Sequence, residues 1–340
     1  MLKIRTGVVL KILVDEYIRA AAPVASEDIA RRSPMKVSAA TIRSEMAELE
    51  EVGYIIRPHI SSGGIPSDKG YRYYVESLDD PLELPLGLQR HIRYRFSRAQ
   101  RDLDAWIQLA ATSLSQTVGN MAIVTFPHAT SAKLKYIQLV YLQEFLVLLI
   151  IVLQEARLRQ HLLPLDEPTS QGELTEIANK LNESLTGLTY SQIKAKQLEL
   201  NPLEEMVRDD TISILRDIDT EAALDHCIDG VRLLLGQPEF AETRRAKEIV
   251  EVLEQKVLLR GILSEAPDTG SVSVFIGEEN QEEVLRPFSV VLSQYGIPQE
   301  AYGTLGVIGP TRMEYGNVIG SVRFLSSLMS ELIIGVHGRS

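Results

Sequence analysis

From Arg5 to Ala20 the apolar positions Val9, Ile12, Leu13, Tyr17 and Ala20 recur at helical spacing with charges on the opposite face, and Pro23 ends the pattern. A short second helix is predicted from Ser26, with Glu27 and Asp28 in its first turn, to Arg32, where Ser33 and Pro34 break it. Ser38 reads as the N-cap of a third helix, whose apolar stripe is Ile42, Met46 and Leu49 and whose stop is Gly53. Tyr54 to Ile60 reads as a strand and Ser61-Ser62-Gly63-Gly64 as a tight turn. Ile65 to Tyr74 reads as a return segment in which Pro66 suits only an edge. Three helices followed by a hairpin predict an N-terminal winged helix-turn-helix over residues 1–78.

Asp79-Asp80-Pro81 through Pro85-Leu86-Gly87 is acidic and carries helix breakers, which marks a domain boundary. Ile92, Phe96, Leu103, Ile107 and Leu114 then predict one long connecting helix over Leu88 to Val118, so residues 79–120 form a linker. Strand-like runs at Ala122 to Phe126, Leu134 to Leu142 and Phe145 to Leu153 open a central sheet. Between about Asp166 and Thr220 the stripes Leu174, Ile177, Leu181, Leu185 and Leu203, Met206, Val207, Ile214, Leu215, Ile218 are helical. Strand signals return at Val272 to Ile276, Ser289 to Leu292 and Gly303 to Ile308. They follow a helix from about Thr243 to Leu263 and precede a last helix from Met313 to Leu332. The order predicts an α+β domain over 121–165 and 221–340, interrupted by a mainly helical module at 166–220.

Composition narrows the class. The chain has 340 residues, 45% hydrophobic and 24% charged, which suits two or three soluble globular domains. Cys227 is the single cysteine, so an internal disulfide is excluded. The first fifteen residues lack the apolar core of a signal peptide, and Phe145 to Leu153 is far below the roughly 20 residues that span a bilayer. A cytoplasmic protein with no membrane partner is expected. The net charge of -11 argues against nucleic acid for the chain as a whole, but its distribution is uneven. Residues 1–75 hold 11 Lys and Arg against 9 Asp and Glu, and the remainder carries a balance of -13. Only the first segment suits phosphate.

A recognition helix enters the major groove N-terminus first, so its opening residues must be small, polar or cationic. Ser38, Ala40, Thr41, Arg43 and Ser44 lie off the apolar stripe near the start of the third helix, whereas Glu45, Glu48, Glu50 and Glu51 crowd its later turns and must point away from the duplex. Arg43 offers a bidentate fork to guanine, and Thr41 a hydroxyl or methyl to a base. Lys36, His59, Lys69 and Arg72 are placed to grip phosphate, and Ser61, Ser62 and Gly63 would let main-chain amides approach the backbone. No chemistry competes with this set. The histidines show no HExxH spacing, no GxSxG elbow is present, and Gly303 to Gly309 does not match a phosphate-binding loop. No catalytic site, metal or cofactor is expected.

Val37-Ser38-Ala39-Ala40-Thr41-Ile42-Arg43, Pro58-His59-Ile60-Ser61-Ser62-Gly63 and Pro66-Ser67-Asp68-Lys69-Gly70-Tyr71-Arg72-Tyr73-Tyr74 resemble the heat-inducible transcription repressors called HrcA. So do Gln237-Pro238-Glu239-Phe240, Ile276-Gly277-Glu278-Glu279-Asn280 and Gly306-Val307-Ile308-Gly309-Pro310-Thr311-Arg312-Met313. The resemblance implies a homodimeric repressor that binds the inverted-repeat CIRCE operator upstream of chaperone operons, double-stranded DNA being its target. It further implies that the GroEL chaperonin favours the active form, so that unfolded proteins occupying GroEL on heat shock release the operons. The implied fold is a winged helix, a GAF-like domain and an inserted dimerisation domain, the helical module at 166–220. One departure is Gly64, where the family usually carries arginine, which removes an expected phosphate contact. Two alternatives stay open: a winged-helix regulator that senses a small ligand in the GAF-like domain, and an enzyme fused to a DNA module.

Overall fold

In the computed structural model the first three helices are α1 (Ile4–Ala20), α2 (Ser26–Arg32) and α3 (Ala39–Glu51). Val9, Leu10, Leu13 and Val14 of α1 are buried, as are Ile29 of α2 and Ile42, Met46 and Leu49 of α3. The structure describes residues 2–35, 37–59, 62–78, 83–99, 102–127, 132–154, 158–165, 167–222, 225–240, 265–267, 270–298 and 301–337. Strands β1 (Ile55–Ile56) and β2 (Ile65–Pro66) pair antiparallel, Ile55 opposite Pro66 and Ile56 opposite Ile65. The predicted return strand to Tyr74 is therefore corrected. After two residues the chain turns into helix α4 (Asp68–Glu76), because the Gly70 N–H donates to Ser67 Oγ at 3.2 Å and Asp68 sits in the first turn.

The single long connecting helix is also two. Helix α5 (Leu86–Arg98) ends where Ala99 is extended, and Asp102 caps a new helix, α6 (Leu103–Val118), by accepting from the Asp104 N–H at 3.1 Å. Gly119, in the left-handed conformation, closes α6 and leads into β3 (Met121–Thr125), which is buried throughout.

By contact the chain divides into two compact units: Met1–Phe126 with His226–Ile297 and Gly303–Ser340, and Pro127–Asp225 with Pro298–Tyr302. In the second unit β4 (Leu134–Gln143), β5 (Leu146–Leu153) and β6 (Leu158–Pro164) form an antiparallel sheet in that order. Helices α7 (Gln171–Leu185), α8 (Tyr190–Ala195) and α9 (Pro202–Ala222) follow. Here the sequence reading is corrected again, because β4 and β5 belong to this separate sheet and not to the one that holds β3. The apolar run of β5 is buried only at alternate residues, Val147, Leu149, Ile151 and Leu153, which share a core with Leu174, Leu181 and Leu185 of α7 and with Val207 and Leu215 of α9. Helix α7 also covers the open edge of β4. The Asn182 side chain accepts from the Ile137 N–H at 2.7 Å and donates to its carbonyl at 2.8 Å, and Gln171 does the same for Tyr141 N–H (2.8 Å) and the Leu139 carbonyl (3.0 Å).

The chain continues with β7 (His226–Asp229), α10 (Val231–Leu235), β8 (Ser273–Ile276), β9 (Phe288–Ile297), β10 (Ala301–Pro310) and α11 (Tyr315–His337), all in the first unit but for the first two residues of β10. These strands and β3 form a five-stranded sheet in the order β7-β3-β10-β9-β8. The predicted helix from Thr243 to Leu263 lies outside the described residues. Helix α6 packs on β3, α11 on β9, and the two helices on each other. Met121, Ile123, Val290, Leu292 and Ile308 gather with Leu234 and Phe240 in a core cluster. Gly306 lies so close to Leu292 that an added Cβ would stand 2.4 Å from its Cδ2, so the glycine-rich strand serves sheet packing. Helix α11 is long and apolar enough to cross a bilayer by composition, yet most of it is buried in its own unit. The fold is mixed α and β.

Replacing Asn182 by alanine removes both bonds to Ile137 and leaves two main-chain groups of β4 without their partner. Urea unfolding should show a stability loss of about 1–3 kcal/mol.

Candidate nucleic-acid interface

Helix α3 begins with a cap: the Thr41 N–H donates to Ser38 Oγ at 3.2 Å, and the two hydroxyls lie 3.0 Å apart. With Ile42 and Met46 turned into the bundle, Ser38, Ala40, Arg43 and Ser44 are exposed and Thr41 is half-buried. The structure brings these five into one surface at the start of the helix. Arg43, 62% exposed, rests on Glu27 of α2 at 2.9 Å. The Glu27 carboxyl is held below the usual range by its own main-chain N–H and by Ser26, with Arg43 adding to both. Because both partners are open to water, the guanidinium is free to exchange this carboxylate for a base edge at little cost.

Lys36 and Ser61 lie outside the described residues. In the hairpin, the His59 N–H donates to Ser62 Oγ at 3.0 Å and the Ser62 hydroxyl donates back to the His59 carbonyl at 2.7 Å, a closed turn with His59 exposed. Gly63 abuts the main chain of Val24, where a Cβ would lie 2.4 Å from the carbonyl carbon, so glycine is required for the close approach. Val24 and Gly64 exchange main-chain hydrogen bonds of 2.9 Å, which pin the hairpin beside the start of α2. Gly64 is buried, and a Cβ there would point at Leu13, Ile55 and Met46, each at 3.1 Å. The missing arginine is thus corrected: in this backbone the position faces the bundle core rather than phosphate.

The acids of α3 are placed by ion pairs. Glu45 is buried, accepting from Thr6 Oγ1 at 2.6 Å and from Arg5 Nε at 2.5 Å. Glu48 accepts from Lys3 at 3.0 Å, and Glu50 lies 3.3 Å from Arg57. Glu50 and Glu51 are exposed and Glu48 is half-buried, whereas Glu45 is buried, and three of the four meet cations, two of these on or beside α1. No spacing in the sequence marks Lys3 at the N-cap of α1 and Arg5 in its first turn as the partners of these acids. Burial disfavours the charged form of Glu45, but the bonds from Thr6 and Arg5 outweigh it and hold its pKa below the usual carboxylate value.

Arg72 leaves the phosphate-contact set, whereas Lys69 is exposed. Both stand on α4, not on a wing strand. Lys69 Nζ donates to the Val52 carbonyl at 2.9 Å, just past the C-terminal end of α3, and lies 4.4 Å over the Tyr54 ring. The Arg72 guanidinium is bound to Glu279 (2.7 Å from Nε) and to the Val274 carbonyl (2.6 Å), and this pairing raises its pKa. Next to it the Asp68 carboxylate accepts from the Glu278 N–H at 2.9 Å. Gly277, at φ +54°, leaves room for that carboxylate, since a Cβ would fall 2.0 Å from Asp68 Oδ2. Asn280 holds the turn by donating to the carbonyls of Gly277, Leu285 and Phe288 at 2.9–3.2 Å.

A second contact lies beside it. Arg312 donates to Glu239 at 2.6 Å, to Gln237 at 3.1 Å and to the Ile18 carbonyl in the last turn of α1 at 2.6 Å, while the buried rings of Tyr71 and Tyr315 lie 5.9 Å apart. Sequence reasoning assigned none of these residues a role. Asp68, Arg72, Glu239, Glu279 and Arg312 all fall in short segments quoted for the family resemblance, and that shared membership was the available signal. The cleft of about 640 Å³ in the second unit is unsuited to DNA, because Glu167, Glu173, Glu176 and Glu204 line it and, among the described residues, Lys180 is the one cation on its walls.

Comparison with known proteins places this geometry in context. Residues 104–319 match the family model described as the HrcA protein C-terminal domain. The chain is 44% identical to the heat-inducible transcription repressor HrcA of Dehalococcoides mccartyi, over 100% of this chain and 98% of that protein. It is 37% identical to the same-named protein of Roseiflexus castenholzii, over 98% of this chain and 95% of the other. A crystal structure of a hypothetical protein shares the fold at a TM-score of 0.60 and 22% identity, with 98% of each chain covered.

Glu45 has a folded-state pKa below its unfolded one, so the stability it contributes is present above the ordinary carboxylate pKa near 4.5 and is lost as pH falls through the lowered value. Glu45→Gln should cost about 2–3 kcal/mol at pH 7 and make the acid limb of stability against pH less steep, as read from urea midpoints between pH 3 and 7.

Proposed function

The chain belongs to the HrcA family of heat-inducible transcription repressors, and on that basis we propose that it binds an inverted-repeat operator of the CIRCE type as a homodimer, with α3 in the major groove. It is a heat-inducible transcription repressor, and repression by such a protein entails binding DNA. In this reading α1 to α4 with the β1–β2 hairpin are the winged helix-turn-helix, and the five-stranded sheet with α6 and α11 is the GAF-like domain. The GroEL chaperonin promotes the active form, and the protein works in the cytoplasm.

One observation carries the reading: the exposed Ser38, Ala40, Arg43 and Ser44, with the half-buried Thr41, form a small and cationic surface at the N-terminal end of α3. Arg43 and Thr41 read bases, and the His59 turn with Ser62 and Gly63 meets backbone phosphate, the amides and hydroxyls positioning the domain without specifying sequence.

The dimer contact is assigned to the second unit, but to its sheet rather than to the helical stretch 166–220. The stripes of α7 and α9 are consumed by their own core. The opposite face of the sheet is open and largely apolar, with the exposed Gln138 and Gln160 flanking Ile150 in its middle row. Across it Tyr136, Val152 and Leu158 stand in one row and Val140, Leu148 and Leu162 in another, with Tyr136, Leu158 and Leu162 each about half exposed. An antiparallel sheet facing water ordinarily turns polar side chains outward. A second copy meeting this face satisfies it and supplies the two-fold axis that a palindrome requires.

In gel shift or footprinting on the DNA upstream of chaperone genes, Arg43→Ala should lose about 1–3 kcal/mol on the palindrome and far less on scrambled duplex, and GroEL should raise the fraction of wild-type protein that binds. Equal loss on both duplexes would remove Arg43 from base reading. The paired change Leu148→Asp with Leu162→Lys should yield monomers in sedimentation and weaken palindrome binding much more than half-site binding.

A further inference from the structure

Helix α5 carries four arginines and one histidine in thirteen residues with no acid, inside a chain of net charge -11. Ile92 and Phe96 are its buried residues. At about 100° per residue, Arg90, Tyr94, Arg98, His91 and Arg95 fall in that order across an arc of about 140° centred opposite those two. Arg90, His91, Tyr94 and Arg98 are exposed and Arg95 half-buried.

We propose that this stripe is a second DNA contact, which grips backbone phosphates outside the bases read by α3. The inference rests on the operator-binding reading above and adds a surface that reading does not use.

Internal structure accounts for only part of the charge. Arg93, which lies off the stripe, donates to Glu331 at 2.7 Å and lies 5.5 Å from the Phe324 ring. Arg95 and Arg98 stand in the last turn, where cations also favour the helix dipole. Arg90 and His91 stand in neither position. Among the described residues, Arg90, His91, Arg95 and Arg98 make no ion pair, and Arg98 meets only the Tyr94 hydroxyl and ring face, at 3.1 and 5.7 Å.

The chemistry selects a polyanion with closely spaced charges. From Arg90 to Arg98 the stripe is about 12 Å long, and one DNA strand presents a phosphate about every 3.4 Å of axis, so three or four phosphates face three guanidiniums. The cations are arginines throughout, whose planar forks suit phosphate oxygens, and the exposed Tyr94 hydroxyl is a further phosphate donor. An acidic polypeptide has no comparable regular array. The rest of the chain beyond residue 75 repels DNA, so a cation-only face there has a use in countering that repulsion.

The test uses full-length protein, fluorescence anisotropy on an operator duplex and on its scrambled counterpart, and salt titration from 50 to 300 mM. The triple change Arg90→Gln, Arg95→Gln, Arg98→Gln should flatten the slope of log affinity against log salt by about two to three units per protomer on both duplexes. It should weaken binding at least tenfold at the low-salt end and leave the operator-to-scrambled ratio unchanged. The matching triple change to lysine should keep most of the slope. An unchanged slope in the glutamine variant, with wild-type discrimination between the duplexes, overturns the proposal even if the variant loses binding to an acidic protein. Flattened slopes in a protein that does not discriminate between the duplexes would sink the operator reading and leave this contact standing.

Discussion

A carboxylate buried under α3 fixes which side of that helix faces outward. Each residue turns a helix by about 100°, so fixing Glu45 against Thr6 and Arg5 settles the azimuth of every other α3 side chain. Ile42, Met46 and Leu49 share the buried arc, and Ala40, Arg43 and Ser44 must then lie on the other. Apolar contacts alone would tolerate some rotation, because they have no direction. A desolvated carboxylate does not, since turning it away from its donors would leave a charge buried without partners. The same region balances charge: Lys3 and Arg5 pair with Glu48 and Glu45, two of the acids that crowd the later turns of α3.

The orientation set in the bundle is carried into the sheet by two polar contacts and an aromatic one. Arg312 joins the end of α1 to Gln237 and Glu239, Arg72 and Asp68 join α4 to the Gly277–Glu279 turn, and Tyr71 meets Tyr315. Such bonds have strict geometry, and Gly277 shows how tight the fit is, since no side chain can replace its hydrogen without displacing Asp68. Segments far apart in sequence, 68–72, 237–239, 277–279 and 312–315, thus serve one purpose, to hold the α1–α4 bundle at a set angle on the sheet.

Much of this was legible where local pattern decides. The stripes of α1 and α3 and the Ser38 cap are periodic signals, and the exposed set at the start of α3 follows from them. Helix α4 was not legible, because Tyr71, Tyr73, Tyr74 and Val75 favour a strand, and what overrides them is the Ser67 cap and the fit of Gly70 against the Tyr54 carbonyl. The division of α5 from α6 hung on the single Asp102 cap. Strand β6 escaped notice because Leu163 is its one buried residue, so no alternation marks it. The partners of Glu45, Arg72 and Gly64 lie roughly 40 to 200 residues away in sequence, and no spacing rule reaches that far.

If α3 reads the operator as proposed, the smallness of its exposed surface explains why a second copy would be needed. One bidentate arginine distinguishes bases by about 1–3 kcal/mol, and Thr41 adds a weaker contact. A repressor must exceed its own non-specific binding by about 4–10 kcal/mol to find one site among millions. A single α3 falls short of that range, whereas two copies held on a common axis add their discrimination and reach it. Phosphate contacts cannot make up the difference, because they strengthen binding to every sequence alike. On the proposed reading the β4–β5–β6 sheet face therefore bears on specificity as much as Arg43 does, and an intact bundle without a partner would hold DNA and still fail to select its operator.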